Sequence, residues 1–412
     1  LHWLPWPHGA SLCSPLMSAL SPAIRRDFLG LTAAIAMVGL ALGVVLPQSA
    51  LRLQAGGAGA GLTGAVLALH ALGLVLSMPL TMPLVNRLGS RPLLAWATLA
   101  SALVCGALQS ASLTWQLAAG LMGLGVALGL VFNVVEAWVN DILPSASRGH
   151  WLAVHCTVFT LFQLLGPLLL PGLPAQHLGL RPFELCGLLL LASLPAYRLL
   201  SAHHFSAEEE SGPSAAWWRL LAQAPAVVWG TALFALFDAL VLGLLPVHAR
   251  AHGLSDAEAL RSAAVVLAGD TALEWVIGRL ADRHGHQRLQ WACGLVLLMG
   301  AALLPASAGH WVWWPLLFAI GGAAGGIYVL SLVACGHRFS GQGLLQMTAL
   351  LGATWGAASC AGPLFTGALM DLSARWALPG VLMAATLVLM AALAWEAAHA
   401  KPSPTAPSLN EP

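Results

Sequence analysis

Apolar residues along this chain fall into twelve runs, bounded by polar residues or by Gly/Pro punctuation: 28–50, 62–85, 92–110, 115–140, 151–172, 183–201, 225–248, 259–281, 289–308, 311–336, 344–368 and 376–396. Roughly 20 apolar residues span a hydrocarbon core as a helix. In lipid, backbone N–H and C=O groups must find partners within the segment, so runs this long predict helices. The expected fold class is an all-α membrane protein with twelve transmembrane helices. One connection is long, 202–224, with Glu208, Glu209, Glu210, Ser211, Gly212 and Pro213 followed by Trp217, Trp218 and Arg219. It reads as a cytoplasmic linker ending in an interfacial amphipathic piece. On either side lie an N-terminal six-helix half, 28–201, and a C-terminal six-helix half, 225–396.

Composition supports lipid as the solvent. The 412 residues are 58% hydrophobic and 8% charged, with a mean hydropathy of +0.81; a soluble domain carries about 25% charged residues. A net charge of +1 offers no basic face to nucleic acid. Seven cysteines stand singly, without the spacing of a disulfide framework or a metal site, so neither metal nor cofactor is expected. Basic residues set the orientation. Twelve, including Arg25, Arg26, Arg279, Arg338 and Lys401, fall on the side of the N-terminus, against Arg52, Arg181, Arg250, Arg261 and Arg375 on the other. The positive-inside rule then puts both termini in the cytoplasm, as in a multi-pass protein of a bacterial inner membrane. Residues 1–27 are expected to be a cytoplasmic segment. They lack the form of a signal peptide, and Arg25-Arg26 just before the first run suggests a start near Met17 and a mis-assigned upstream stretch. The Pro/Ser-rich tail, 397–412, is expected to be disordered and cytoplasmic.

The two halves echo each other. Gly89, after the second run, and Gly285, after the eighth, are 196 residues apart, and so are Gly166-Pro167 and Gly362-Pro363. Six-helix halves related by an axis along the membrane normal are the architecture of carriers that rock about a midplane site. The loop after the eighth run reads Gly278, Asp282, Arg283, Gly285, Arg288; after the second it reads Met82, Asn86, Arg87, Gly89, Arg91. These residues resemble the gating loop G-x-x-x-D-R-x-G-x-x-R of the major facilitator superfamily, nearly intact in the second copy. Val135 to Asn140 with Arg148-Gly149, Glu274-Trp275 leading into Gly278, and Gly362-Pro363 followed by Gly367, Met370 and Asp371 resemble its YcaD-like branch. The resemblance covers nearly all of 28–395. It implies two six-helix halves related by pseudo-two-fold symmetry, and a secondary active transporter of small molecules working by alternating access. It also implies a gating role for Asn86, Arg87, Gly89, Arg91, Gly278, Asp282, Arg283, Gly285 and Arg288. One departure matters. Leu121 stands about where many drug/proton antiporters carry an Arg, so coupling through that Arg does not carry over.

Ionisable residues inside a span cost about 2.5 to 3.5 kcal/mol each by insertion scales, so they face the bundle interior and mark pathways. Asp238 lies in the seventh span, Asp270 and Glu274 one turn apart on one face of the eighth, and Glu136 in the fourth. The first three are candidates for a protonatable, cation-favouring site; the alternative is that each hydrogen-bonds a neighbouring helix. Asn133, Glu136 and Asn140 share a face. Glu136 either pairs with Arg87 or Arg91 in the gate or contacts substrate or proton, and Asp141 is a candidate partner of Arg148. His70 and His155 either shuttle protons or are merely hydrogen-bonded. Trp138, Trp229, Trp275 and Trp355 lie deep in their spans, lining a cavity or packing in the core. The Gly321-Gly322 and Gly325-Gly326 pairs are spaced for close helix packing, without the Lys of a phosphate-binding loop.

Acids without Arg or Lys at the span centres favour neutral or cationic amphiphiles as cargo and protons as the coupling ion. The expectation is proton-coupled efflux by a monomer in the bilayer. Proton-coupled uptake is the alternative within that class, and a non-transporting sensor or scaffold the alternative outside it. An intramembrane enzyme would need clustered His/Asp, Ser/His or metal ligands, which the sequence does not offer.

Overall fold

The computed structural model describes residues 20–144, 148–169, 181–201, 217–339 and 341–399. Most of the expected N-terminal segment, linker and tail lies outside them. The helices are α1 (Pro22–Ala55), α2 (Ala60–Leu88), α3 (Ser90–Ser110), α4 (Thr114–Ile142), α5 (Arg148–Leu169), α6 (Pro182–Ala192), α7 (Leu194–Tyr197), α8 (Trp217–Gln223), α9 (Pro225–Gly243), α10 (Leu245–Ala251), α11 (Asp256–His284), α12 (His286–Ser307), α13 (Trp313–Arg338), α14 (Gly341–Leu372) and α15 (Ala377–His399). The protein is all-α, with no strand among the described residues. Nine helices there are long and apolar enough to cross a membrane, which makes this a multi-pass membrane protein. The other three expected spans coincide with α6–α7, α11 and α14.

Two expected spans are broken rather than continuous. The sixth divides at Ser193, whose hydroxyl donates to the Leu190 carbonyl at 2.7 Å. The seventh divides at Leu244. In both, a proline follows directly (Pro195, Pro246), and its missing N–H and fixed φ suit the first turn of a new helix. The start of α11 is written in the sequence as a capping box. Ser255 accepts from the Glu258 N–H at 3.3 Å, and Glu258 accepts from the Ser255 N–H at 2.9 Å.

Helix pairings recur in the two stretches. α2 packs on α4 as α11 packs on α13; α1 on α5 as α9 on α14; α3 on α6 as α12 on α15. Across the middle, α2 meets α14 and α5 meets α11. Lipid tails are as apolar as Leu, so helices associate by van der Waals fit and backbone proximity, and glycine supplies both. A Cβ on Gly321 would lie 1.9 Å from the Val266 carbonyl oxygen, one on Gly269 2.0 Å from that of Phe318, and one on Gly43 2.0 Å from that of Gln163. The seam between α2 and α14 is as close, with Gly64 at 2.0 Å from the Pro363 carbonyl by the same measure. Gly89 and Gly285 have φ of +85° and +83°, each ending one helix and starting the next, a conformation other residues adopt at a cost. The duplicated glycine therefore has one backbone role in both loops.

Gly321→Val puts two methyls and a Cβ into the α11–α13 contact and is expected to destabilise the protein by about 1–3 kcal/mol or more. Gly278 faces open space, and Gly278→Ala is expected to stay within about 0.5 kcal/mol of the parent, as surface substitutions do. Thermal unfolding of the two purified variants in one detergent checks the contrast.

Candidate functional site

Between the helices lies a cavity of about 500 Å³, lined by α1, α2, α4, α5, α9, α13 and α14. Its walls are mainly Leu, Val and Phe, and its polar groups include His70, Asn133, Gln163, Asp238, Tyr328 and Ser359. Among the described residues, neither Arg nor Lys lines it. Pockets of this size and apolar character, with a few placed polar groups, are the usual form of a small-molecule site. The lining reaches Cys335, Gly336 and Leu344, near the end of the bundle that carries Gly89 and Gly285.

The opposite end is sealed. Beyond the Gly64–Pro363 seam, the Asp371 carboxylate accepts from the Gly61 N–H at 3.0 Å, placing an anion at the N-terminus of α2, where the helix dipole favours it. A Cβ on Gly243 would meet the Leu67 side chain at 2.8 Å. Arg250 bridges to Asp256 at 2.9 Å and reaches the Leu51 carbonyl at 3.5 Å. Arg52 ties α1 to the end of α3, donating to the carbonyls of Leu108 at 2.8 Å, Gln109 at 3.2 Å and Ala111. These carbonyls lie at the C-terminal end of α3, where the regular helix ladder runs out; that of Leu108 also accepts from the Ala111 N–H at 3.3 Å.

Asp238, from α9, faces the cavity, and Gln163, from α5, lies on the same wall close to its carboxylate. One turn before Asp238 on α9, Phe234 stacks on Tyr328 (centroids 4.9 Å apart) and meets Trp355 edge-on at 5.6 Å; Tyr328 and Trp355 line the cavity. His70, a lining residue, is buried, its Nδ1 3.3 Å from the Leu121 carbonyl and its Nε2 enclosed without a hydrogen-bond partner. Asn133 bridges to α2, donating to Ser77 and Thr81 at 3.1 Å each. Asn140 donates to the Glu136 carbonyl at 3.0 Å.

The expected trio of acids is brought only partly together. Asp270 is 8% exposed and packs against Gly325 of α13, where a Cβ would lie 1.6 Å from its carboxylate oxygen. It lies close enough to Glu274 and Asp238 for their charges to interact, but only Asp238 lines the cavity. Glu136 is not held by the gating arginines. Its carboxylate turns toward α5 and sits 3.2 Å from His155 Nε2, an ion-pair approach whose angles fall short of a hydrogen bond. Arg91 instead donates to the Arg198 carbonyl at 3.3 Å, and Arg148 to the Leu143 carbonyl at 3.3 Å. Glu136 sits too far inside α4 for side chains anchored at those helix ends. Asn86, Arg87, Arg283 and Arg288 are exposed at the same end, as are Asn140 and Asp141; the side chain of Asp282 lies outside the described part. Among the deep tryptophans, Trp138 is core, Trp355 lines the cavity and Trp229 is 44% exposed on the outside. The side chain of Trp275 is outside the described part.

Gln163 and the Phe234–Tyr328 pair are functional candidates that a search for ionisable residues passes over. A lone mid-span Gln three residues before Gly166-Pro167 was the available signal for the first. Two buried acids also lie at helix ends. Asp27 accepts from the Ser201 N–H at 3.0 Å. Glu396 accepts from the Ala226 N–H at 2.8 Å and from Arg338, fastening α15 and α13 to the start of α9.

Replacing Asp371 by Ala leaves the first turn of α2 without its anion. With native cysteines changed to serine and a cysteine placed at Leu46, a membrane-impermeant maleimide added from the sealed side is expected to label about fivefold faster. That factor corresponds to about 1 kcal/mol, the usual size of a lost N-terminal cap.

The family model of the Major Facilitator Superfamily matches residues 28–271 and 227–411. An uncharacterised MFS-type transporter of Yersinia pseudotuberculosis is 28% identical over 254 residues, which are 60% of this chain and 63% of that protein. The uncharacterised MFS-type transporter YcaD of Escherichia coli is 26% identical over 261 residues, 63% of this chain and 65% of its own length. The match thus spans under two thirds of these relatives. Among solved structures, a bacterial homologue of the human lysosomal transporter Spinster, inward-facing and occupied, superposes with a TM-score of 0.72 at 14% identity, covering 91% of this chain and 96% of that one. The nucleoside transporter NupG gives 0.70 at 10% identity, covering 91% and 100%. These relatives and structures are named as transporters, and this chain belongs to the major facilitator superfamily.

Proposed function

We propose that the chain is a secondary transporter that moves neutral or cationic amphiphiles out of the cell in exchange for protons. Its two six-helix halves, 28–201 and 225–396, would rock about the central cavity. The observation that carries this reading is Asp238, a carboxylate on the wall of a mainly apolar cavity, with Gln163 close by and neither Arg nor Lys among the described lining residues. A carboxylate in that setting binds a proton or an organic cation, and not both at once, which is the requirement for exchange. The faces of Tyr328 and Trp355 favour a cation beside it. His70 Nε2 adds one uncommitted polar atom for orienting the ligand. Asp270 and Glu274 stand behind Asp238 as members of the same acidic group. With the positive-inside orientation, the sealed end faces outward and the cavity leads to the cytoplasm, an inward-facing state.

The test uses purified protein in vesicles holding an acid interior, with tetraphenylphosphonium outside as the probe cation. Uptake of the probe coupled to proton efflux is expected in the parent. Asp238→Asn is expected to lose it by about tenfold or more, equivalent to roughly 1.4 kcal/mol or more of lost coupling, and Asp270→Asn to lose a smaller share. Equal proton flux in the parent and Asp238→Asn sinks the assignment. Uptake driven only by an acid exterior would assign symport instead.

A further inference from the structure

At the sealed end, two histidines stand one turn apart, on α10 and just past it, in the run His248-Ala249-Arg250-Ala251-His252. His248 is wholly buried, with Nδ1 3.1 Å from the Ala374 carbonyl. His252 is half-buried, with Nδ1 2.9 Å from the His248 carbonyl. A carbonyl oxygen only accepts, so in the neutral rings each Nδ1 carries the proton and each Nε2 keeps a lone pair. The two ring centroids lie 4.3 Å apart, the planes tilted by 46°. Nε2 of His248 is enclosed without a hydrogen-bond partner among the described residues.

A buried acceptor left unmet costs stability that an apolar side chain of similar size would not. A backbone carbonyl that holds Nδ1–H is also the arrangement that presents the Nε2 of an imidazole to a metal ion. Histidines at i and i+4 share one helix face, a spacing by which a single helix supplies two ligands to one ion. Here the residues between them are Ala, Arg and Ala, so the Glu that makes such a pair hydrolytic is missing. The charged groups on the flanking elements are engaged elsewhere. Arg250 is bridged to Asp256 at 2.9 Å, and Asp371, three residues before Ala374, accepts from the Gly61 N–H. Among the described residues, no third His, Cys, Asp or Glu completes a metal-holding group with the pair.

We infer that His248 and His252 form a two-imidazole site for a divalent transition-metal ion of the Cu²⁺, Ni²⁺ and Zn²⁺ class. Imidazole suits these ions, with Cu²⁺ bound most tightly, whereas Ca²⁺ and Mg²⁺ call for oxygen ligands. Water fills the remaining coordination positions. His252, at the end of α10 and directly before Gly253 (φ +87°), is the ligand that turns, and rotation of its ring admits the ion between the two Nε2 atoms. The ion then ties the end of α10, through His248 Nδ1, to the turn that follows α14. Neither histidine lines the cavity. The inference does not rest on the transport reading and is tested without any cargo.

The full chain, purified in detergent without a polyhistidine tag, is titrated with Ni²⁺ by calorimetry at neutral pH and, separately, loaded with one equivalent of Cu²⁺ for EPR. The parent is expected to bind Ni²⁺ one to one and to give a Cu²⁺ spectrum with two coordinated nitrogens. His252→Gln is expected to weaken Ni²⁺ binding about tenfold or more, at least the loss usual when even a partner of a ligand is removed, and to lose the two-nitrogen spectrum. His248→Gln is expected to do the same; the half-buried His252 position keeps the test open if that buried variant does not fold. His286→Gln, at the open end, controls for binding elsewhere and is expected to leave both readouts unchanged. A parent that binds no Ni²⁺, or affinity and spectrum retained in full by His252→Gln, overturns the inference. So does binding that is lost in His286→Gln instead.

Discussion

In lipid there is no hydrophobic gain from pressing one apolar helix against another, and every fold built there must find its cohesion elsewhere. Here it is found in backbones that nearly touch. Gly43 against Gln163, Gly64 against Pro363, Gly269 against Phe318 and Gly321 against Val266 are contacts in which even a single methyl has no room. The first joins α1 to α5, the second α2 to α14, and the last two α11 to α13. Three of these four hold helices of one stretch together, and only the α2–α14 seam crosses between stretches. The tight fit is thus mostly within each stretch, and the cavity lies between the helices that these contacts leave apart.

Such packing leaves polar side chains little choice of partner, and the partners reveal their roles. Asn133 is consumed by Ser77 and Thr81, and Asn140 by its own helix. Arg52, Arg91 and Arg148 each answer carbonyls at helix ends. Glu396 with Arg338 and Asp371 with Gly61 do the complementary work at helix starts. After these are set aside, the ionisable groups left among the described residues include Asp238 on the cavity wall, His70, and Glu136 beside His155. An ionisable group in lipid that neither caps a helix nor closes a packing contact is the natural place to look for chemistry.

The fold was largely legible in the sequence, because lipid allows only one backbone solution for a long apolar run. Both broken spans were also signalled by Pro195 and Pro246, although a run of hydropathy does not register a one-residue interruption. The duplicated loop was recognisable, and Gly89 and Gly285 share one positive-φ geometry. The candidate site was legible only by residue type. Period and spacing place Asp270 and Glu274 on one face, but they do not say that Gly325 lies against the first and leaves it off the cavity wall. Nor do they reveal that Glu136 finds His155 and not Arg87. Those outcomes depend on how far neighbouring helices approach, which is set by side chains distant in sequence. Gln163 was missed because it is uncharged, yet an amide is well suited to meet a carboxylate that gains and loses a proton.

The two ends of the bundle differ in how closely they are held, and this bears on how one could open as the other shuts. At the sealed end the fastening combines the Asp371 carboxylate at the start of α2 and the Arg250–Asp256 ion pair with backbone contact at Gly64 and Leu67 on Gly243. Contacts of this kind are lost together once helices part by an ångström or so, since dispersion falls steeply with distance. At the open end the exposed groups are charges, among them Arg87, Arg283 and Arg288, with Glu136 and Glu274 further in. Their interactions act over longer distances, and those that involve a carboxylate change when it takes up a proton. A carrier needs states separated by only a few kcal/mol, so that a ligand or a proton can decide between them. Backbone contact sets a fixed cost for opening one end, and charge adds a term that a bound ion can change.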